Sequence, residues 1–255
     1  MIKLEHVSFS YQKNKDVLSD INLEFKDSKI TLILGRNGVG KTTLLNIIMG
    51  LLKVKSGKVA INGVDIKNLK RNEIAKKIAY VPQVLSFGAI SVFDTVLLGR
   101  ITSFNIYPKN EDFEKVNEVL NDLGLSTKSN ELVENLSGGE QRKVAIARCL
   151  VQEPSIIILD EATSMLDLPS ELAFLKLIKQ IVNERKITVI CSMHDINRAY
   201  QFGDEFVFLK DNKIMYNESK ENLNEELLSN AFDTSIKIAE INNKKIIIEK
   251  ESLWN

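Results

Sequence analysis

Residues 35–42 have the composition of a loop that binds phosphate. The pattern GxxxxGK[ST] is matched by Gly35, Arg36, Asn37, Gly38, Val39, Gly40, Lys41 and Thr42. Glycines let backbone N–H groups approach phosphate oxygens without a side-chain clash, and Lys41 adds a point charge for the outer phosphates. The Thr42 hydroxyl is a hard oxygen ligand suited to Mg²⁺. This phosphate loop predicts a bound phosphate compound with its metal ion, and the alternative is a glycine-rich turn with a solvated lysine.

A pair of carboxylates follows an apolar run later in the chain. Ile156 to Leu159 has the composition of a buried strand, and Asp160 and Glu161 come directly after it. In open α/β sheets, ligands bind at the carboxyl ends of the strands. We therefore expect Asp160 to hold Mg²⁺ through its waters, and Glu161 to orient or deprotonate an attacking water. A strand that simply ends in solvated acids is the alternative, and the phosphate loop in the same chain argues against it.

Apolar runs that alternate with helix-like stretches would position these groups. Ile30 to Leu34 predicts a buried strand that ends at the phosphate loop, and a helix is predicted from Thr42 to Leu52. Further buried strands are predicted at Ile78 to Val81 and Thr188 to Cys191, and a charged helix at Lys67 to Lys77. Strands that alternate with helices indicate an α/β protein with a mostly parallel sheet.

Other segments predict antiparallel pairs and a helical insert. Alternation over Ile21 to Phe25 is typical of a half-buried strand, and Asn62-Gly63 marks a hairpin. A closing hairpin is expected around Asp211-Asn212, and a small terminal hairpin around Asn242-Asn243. Residues 86–147 hold few strand-like runs, and we interpret them as a helical insert between two halves of the core.

Charge and cysteine content exclude several classes of protein. The 255 residues carry 34 Lys plus Arg and 34 Asp plus Glu, which argues against a general nucleic-acid coat. Cys149 and Cys191 lie far apart without a CxxC motif, so neither a disulfide framework nor a zinc site is predicted, and a reducing compartment is favoured. No apolar run approaches the roughly 18 residues that a membrane-spanning helix requires.

The run Leu136-Ser137-Gly138-Gly139-Glu140-Gln141-Arg142 resembles the signature motif of ABC-type ATPases. The resemblance covers about residues 1–220 and implies an ABC ATPase domain over residues 1–230. The implied fold is α/β, a RecA-like P-loop NTPase with a parallel-sheet core (1–85 and 148–230). An N-terminal antiparallel β subdomain and an inserted α-helical subdomain (86–147) complete the domain. Residues 231–255 would form a C-terminal tail with a β-hairpin.

The resemblance also implies ATP and Mg²⁺ as cofactors, bound between two copies of the chain. In the family, two subunits pair head to tail, and the signature motif of one closes on the γ-phosphate held by the other. Ser137, Gly138 and Gly139 are the matching residues here. Asp167 matches the loop that crosses the dimer interface, where Met165 replaces the usual small residue.

The other positions of the family pattern follow in order. Tyr11 matches the aromatic residue that stacks on adenine, Gln83 the glutamine that senses Mg²⁺ and the γ-phosphate, and His194 the histidine that hydrogen-bonds that phosphate. A strand-end tyrosine and a structural histidine are the alternatives. The implied sets are catalytic (Lys41, Gln83, Glu161, His194), metal-binding (Thr42, Gln83, Asp160) and nucleotide-binding (the phosphate loop with Tyr11, Thr43, Ser137, Gly138, Gly139 and Asp167). Arg36, Val39 and Glu140 depart from the commoner proline, serine and glutamine.

Smaller motifs resemble the subgroup of ATPases that serve iron-siderophore, haem and cobalamin importers. They are Thr95 to Arg100, His194 to Ala199 and the tail after Leu227. The resemblance implies an ATPase subunit on the cytoplasmic side of the cell membrane that powers import through separate permease subunits. An extracellular substrate-binding protein would act indirectly, and no nucleic acid would bind. We expect the apolar segment Val84 to Val92 to dock on the permease, with ordinary core packing as the alternative.

Three other functions stay open at this point. The chain could be an importer ATPase for another cargo such as a metal ion, a non-transport ABC ATPase in cluster assembly, translation or DNA repair, or a small-molecule kinase. Translation and DNA-repair members would carry two ATPase copies or a long coiled-coil insertion, and this chain has neither. A kinase would leave the signature motif and His194 unexplained.

Overall fold

The computed structural model describes residues 1–12, 15–103, 107–241 and 244–250, and the chain divides into two units. The first unit comprises Met1–Asn68 and Ile190–Asn255, and the second comprises Leu69–Val189. The second unit is thus an insertion in the sequence of the first. The predicted bounds of the helical insert, 86 and 147, stay a prediction.

Strands and helices alternate through most of the described chain. The strands are β1 (Ile2–Gln12), β2 (Lys15–Phe25), β3 (Ile30–Leu34), β4 (Ser56–Ile61), β5 (Val64–Asp65), β6 (Ile78–Val81), β7 (Ile156–Asp160), β8 (Thr188–Ser192), β9 (Glu205–Lys210), β10 (Lys213–Ser219), β11 (Ile236–Ile241) and β12 (Lys244–Glu249). The helices are α1 (Lys41–Ile48), α2 (Arg71–Ala75), α3 (Val92–Leu97), α4 (Asn110–Asp122), α5 (Gly138–Leu150), α6 (Leu168–Arg185), α7 (Ile196–Phe202) and α8 (Glu225–Phe232).

Parallel pairing of buried strands confirms the predicted α/β class. In the first unit β3 pairs in parallel with β9, from Thr31 opposite Glu205 to Leu34 opposite Phe208. In the second unit β6 pairs in parallel with β7. All residues of β3, β7 and β8 are buried, which is why each reads as a continuous apolar run.

The first unit also contains an antiparallel sheet with the strand order β2-β1-β4-β5. Asn62 and Gly63 join β4 to β5 with φ values of 51° and 78°, as a tight hairpin turn requires. β9 and β10 form the predicted hairpin around Asp211-Asn212. β11 and β12 form the predicted terminal hairpin, and its turn residues Asn242 and Asn243 lie outside the described residues.

The segment Thr95 to Arg100 contacts both α4 and α5 in the second unit. A Cβ on Gly99 would overlap the Arg148 carbonyl oxygen, so only glycine lets this turn approach α5 so closely. Arg100 is buried and its Nε donates to Asp112 Oδ1 at 2.9 Å, while its Nη1 donates to the Val151 carbonyl at 3.0 Å. This arginine therefore links the N-terminal end of α4 to the residue that follows α5.

Two predicted helices differ from those observed. α1 ends at Ile48 rather than at Leu52, because Gly50 follows with a φ of 69°. The charged stretch from Lys67 to Lys77 holds only the short α2, since the Lys67 N–H donates to the Asp65 side chain in a local turn.

None of the helices in the described part of the chain combines the length and apolarity needed to cross a membrane.

Candidate functional site

The phosphate loop folds as a glycine-dependent turn that leads from β3 into α1. Gly35 has a φ of 152°, and a Cβ there would overlap the Leu209 carbonyl oxygen. Gly40 caps α1 with a φ of 109°, in the left-handed region that disfavours other residues. Gly38 has a φ of 79° and open space where its Cβ would lie. The N–H groups of the first turn of α1 have no partners within the helix, which suits this loop to phosphate oxygens.

Lys41 is the first residue of α1, and its side chain is only 6% exposed. Its Nζ donates to the carbonyl oxygens of Gly35 at 2.9 Å and Arg36 at 3.3 Å. The ammonium group thereby connects the end of the phosphate loop, where α1 begins, to Gly35 at its start. The next side chain, Thr42, is exposed. A cationic residue and a hydroxyl-bearing residue thus occupy the first two positions of the helix.

Tyr11 lies in the first unit and is 63% exposed. The phenol oxygen of Tyr11 is 3.2 Å from Thr43 Oγ1, and the ring packs edge-on against Phe9 with 4.8 Å between centroids. These two contacts hold the ring next to α1 while most of its surface stays accessible.

His194 stands between β8 and α7 and is exposed. The next residue, Asp195, caps α7 because its carboxylate accepts from the backbone N–H groups of Asn197 at 2.8 Å and Arg198 at 3.0 Å. The Met193 N–H donates to the Ile33 carbonyl at 3.2 Å, so the chain around His194 lies beside β3. The histidine is therefore positioned by a strand on one side and a capped helix on the other.

In the second unit, the structure brings Gln83 and Glu161 together. Asp160 is the buried last residue of β7, and Glu161 follows with a φ of 44°, an uncommon conformation for a residue other than glycine. Gln83 Nε2 donates to Glu161 Oε2 at 2.8 Å. The predicted base and the predicted nucleotide sensor are thus in direct contact.

Two residues that sequence reasoning missed support this cluster. Burial, together with the charge of Asp160 and a hydrogen bond to it, raises the pKa of Tyr80 to about 12, so this phenol stays protonated beside Asp160. Arg142 is buried and donates to the carbonyl oxygens of Pro82 at 2.9 Å and Gln83 at 2.6 Å. Arg142 lies on α5, so one side chain connects the helix of the signature motif to the backbone of Gln83.

The signature motif forms the N-terminal end of α5. Ser137 and Glu140 form a reciprocal capping box, in which Glu140 Oε2 accepts from the Ser137 N–H at 3.1 Å. Hydrogen bonds from Lys128, at 2.6 Å, and from Ser137 lower the pKa of Glu140 to about 2. Ser137 and Gly138 are exposed.

The loop that carries Asp167 lies next to the signature motif. A Cβ on Gly138 would lie 3.7 Å from Leu166 Cδ2, and one on Gly139 would lie 3.2 Å from Ser170 Oγ. Asp167 caps α6 by accepting from the Ser170 N–H at 3.0 Å, and hydrogen bonds from Ser170 lower the pKa of this carboxyl. The structure therefore gathers the signature glycines and Asp167 on one surface of the second unit.

Exposed apolar side chains also characterise the second unit. Val84 is 62% exposed and Ile101 60% exposed. Phe87, in contrast, is half-buried, with the Arg148 guanidinium 5.5 Å from its ring centroid. Within the segment Val84 to Val92, Val84 rather than Phe87 therefore offers accessible apolar surface.

The chain is similar to known proteins over most of its length. The sequence model of the family described as ABC transporter matches residues 18–164. A protein of Helicobacter pylori named as a probable iron chelatin transport ATP-binding protein is 34% identical over 97% of this chain and 98% of its own length.

Two solved structures are similar to this chain in fold. One, described as the inward-facing conformation of a metal-chelate type ABC transporter, has a TM-score of 0.85 and 27% identity, and covers 98% of both chains. The other is a dimeric ATP-binding cassette in a post-hydrolysis state bound to ADP and Pi, with a TM-score of 0.75 and 31% identity over 88% of this chain and all of that one.

Proposed function

This chain belongs to the ABC transporter family as an ATP-hydrolysing subunit, and we propose that it powers the import of an iron chelate or a related siderophore, haem or cobalamin compound through separate membrane subunits. The observation that carries the proposal is that one chain holds two kinds of phosphate-recognition element. The first unit carries the phosphate loop with its lysine. The second carries the signature motif, which has no lysine and whose residues Ser137 and Gly138 are exposed near Asp167.

The first unit would bind the nucleotide. Backbone N–H groups of residues 35–42 and the Lys41 ammonium would hold the β- and γ-phosphates. Tyr11 would stack on adenine, which agrees with an exposed ring whose phenol is held by Thr43. His194 would donate a hydrogen bond to the γ-phosphate.

The family pattern supplies three oxygen donors of the kind that Mg²⁺ prefers: the Thr42 hydroxyl, the Gln83 amide oxygen and the Asp160 carboxylate. We assign these three residues to the metal ion. When bound, Mg²⁺ would neutralise charge on the phosphates. Tyr80 would support this role by holding the Asp160 carboxylate through a phenol that stays protonated.

Glu161 would act as the base for hydrolysis. Its carboxylate would take a proton from water as the water oxygen forms a bond to the γ-phosphorus. The bond between that phosphorus and the bridging oxygen breaks, and ADP leaves with the electron pair. The hydrogen bond from Gln83 Nε2 supports this assignment because it orients the carboxylate.

Two copies of the chain would close head to tail over two ATP molecules. Ser137, Gly138 and Gly139 of each copy would cover the γ-phosphate held by the other, and Asp167 would cross the interface. The exposed residues Ser137 and Gly138 support this arrangement, as do the exposed apolar residues Met165 and Leu168 beside Asp167. A dimeric relative bound to ADP and Pi also supports it.

The permease would bind at the segment Val84 to Val92, on the cytoplasmic face of the membrane, and an extracellular binding protein would deliver the cargo. Exposure of Val84 supports this docking site, and Leu98 and Ile101 add apolar surface in the same unit. Gln83 precedes Val84 directly and contacts Glu161, so docking at this segment would be coupled to hydrolysis.

Uptake measurements test the cargo class directly. Cells that lack this chain should lose uptake of radioactive iron supplied as a chelate, while uptake of phosphonate and of uncomplexed cobalt should continue. Expression of the wild-type chain should restore uptake, and the Glu161→Gln variant should not. Unchanged uptake of several iron chelates in the deleted cells would refute the cargo assignment. ATP hydrolysis is tested separately, by measuring phosphate release from the purified chain.

A further inference from the structure

Residues 225–249, here called the C-terminal segment, connect two parts of the first unit that flank the proposed nucleotide site. The segment consists of α8 and the hairpin of β11 and β12. Side chains of α8 hold the hairpin, because Ser229 Oγ accepts from the Ile236 N–H at 2.9 Å and Glu225 Oε1 accepts from the Ile238 N–H at 2.8 Å. The segment is thus one connected structure rather than a loose extension.

One end of the C-terminal segment is attached near the phosphate loop. Lys210 Nζ donates to the Asn230 carbonyl at 2.7 Å and to Asp233 Oδ1 at 2.5 Å. Phe208 and Phe232 pack edge to face with 6.0 Å between ring centroids. Lys210 directly follows Leu209, whose carbonyl oxygen lies against Gly35 of the phosphate loop.

The other end is attached to the helix that follows His194. Asn197 Nδ2 donates to the Ile247 carbonyl at 2.8 Å, and Asn197 Oδ1 accepts from the Ile247 N–H at 2.7 Å. This reciprocal pair reproduces the bonds that a neighbouring strand would make with β12. An asparagine side chain can supply both a donor and an acceptor, whereas an aspartate supplies acceptors only.

Asn197 lies three residues after His194. Its own backbone N–H donates to Asp195, the cap of α7, while its side chain holds β12. α7 has only seven residues, so few bonds within the helix fix its first turn. The contacts to β12 therefore restrict the position of the turn that follows the histidine.

We propose that the C-terminal segment braces the first unit beside the phosphate loop, and that Asn197 is the positioning residue through which this brace orients His194. The inference rests on the proposed function, because His194 has its role there. Loss of the Asn197 contacts should disturb the geometry of the histidine more than the binding of ATP, since Lys41 and Tyr11 lie outside these contacts.

A double-mutant cycle on the purified full-length chain tests this role. Asn197→Ala should lower kcat for ATP about three- to tenfold and leave KM within about twofold, because the loss is one of orientation. In a His194→Ala background the same substitution should change kcat by less than about 1.5-fold, since the two residues act as one unit. Asn197→Asp keeps the acceptor but not the donor and should also lower kcat.

Thr234→Ala is the matched control. It removes the 2.6 Å hydrogen bond between Thr234 Oγ1 and Glu249 Oε1 within the C-terminal segment but leaves Asn197 and Ile247 unchanged. Its kcat should stay within about 1.5-fold of the wild-type value, as expected for a change away from reacting groups. An equal loss of kcat in this control would mean that the segment acts through general stability, which would overturn the proposal.

Hydrogen exchange separates this inference from the proposed function. Amides of residues 196–199 should exchange at least about fivefold faster in Asn197→Ala than in the wild type, because local opening of α7 becomes easier. Unchanged exchange in this helix would overturn the brace, whether or not the chain hydrolyses ATP. The positioning role would be overturned by an unchanged kcat in Asn197→Ala. It would also be overturned if Asn197→Ala lowered kcat by the same factor with and without His194. In either case, the difference in kcat between the wild type and His194→Ala would still support the proposed function.

Discussion

Gln83 is held at both ends: its side-chain amide donates to the Glu161 carboxylate at 2.8 Å, and its backbone carbonyl accepts from the Arg142 guanidinium at 2.6 Å. Glu161 itself adopts a φ of 44°, which other parts of the structure must stabilise. A change in the position of Gln83 would therefore reach both the proposed base and the helix that begins with the signature motif.

Glu161→Gln should abolish turnover without preventing nucleotide binding. The replacement has nearly the same shape and can still accept from Gln83 Nε2, but it cannot take a proton from water. We expect kcat to fall by about 10²–10⁴-fold. Size-exclusion chromatography with ATP and Mg²⁺ should then show a trapped dimer, and elution of this variant as a monomer would contradict the proposed head-to-tail closure.

Arg142→Gln should weaken the link between α5 and Gln83. Two charge-assisted hydrogen bonds to carbonyl oxygens are lost, so the free energy of unfolding should fall by about 2–4 kcal/mol. We also expect a lower kcat, because Gln83 would no longer be held beside Glu161. Urea unfolding and phosphate release measure the two effects. Lys143→Ala is the control, since this neighbouring side chain is only half-buried. Equal losses of unfolding free energy and of kcat in the two variants would argue against the link.

The stability of the protein should depend on Glu140 in a pH-dependent way. Lys128 and Ser137 lower the pKa of this carboxyl from 4.5 to about 2. A carboxyl with a lowered pKa in the folded state stabilises the protein above its unfolded pKa, and this stabilisation is lost as the pH falls from about 4.5 to about 2. In thermal unfolding, the Tm of the wild type should therefore exceed that of Glu140→Gln at pH 6. This gap between the two Tm values should narrow towards pH 2.5. A gap of constant size would contradict this assignment.

Val84→Asp should remove the docking surface without affecting the nucleotide site. A carboxylate at this exposed position would have to be desolvated in an apolar interface, so co-purification with the permease subunits should be lost while basal ATP hydrolysis persists. Phe87→Asp should also abolish this association while ATP binding remains, but it would disturb the contact with Arg148 as well. Val64→Asp, at an exposed valine of the first unit, should retain association. Retained complexes with Val84→Asp and Phe87→Asp would exclude docking at this segment.

Tyr11 should contribute to ATP affinity through its ring rather than its hydroxyl. Tyr11→Phe loses only the contact with Thr43 and should keep KM within about twofold. Tyr11→Ala loses a stacking surface worth about 1–3 kcal/mol, which corresponds to a KM higher by about 5- to 150-fold. Equal KM values for Tyr11→Ala and wild type would remove this residue from the nucleotide site.

Strand positions could be predicted well where a glycine or a proline follows an apolar run. β3 ends at Leu34, before Gly35, and β6 ends at Val81, before Pro82, and both strands match their predicted bounds. The short helices α7 and α8 were missed because seven or eight residues carry little periodicity. Their caps, Asp195 and Asn224, were the available sequence signal.

The supporting residues of the candidate site could not be predicted in the same way. A buried arginine and a solvated one look alike in sequence, and Arg142 gains its role from carbonyl groups some 60 positions away. The role of Tyr80 likewise depends on the pairing of β6 with β7, because Tyr80 lies on β6 and Asp160 ends β7. Such roles depend on long-range pairing rather than on local residue types.

The close approach of Gly35 to the Leu209 carbonyl places an unequal constraint on the two positions. A carbonyl oxygen is present whatever amino acid occupies position 209, so the contact itself makes no demand on the identity of that residue. At position 35, in contrast, every alternative to glycine introduces a carbon atom where no room exists. This contact would therefore tolerate genetic variation at position 209 but not at position 35.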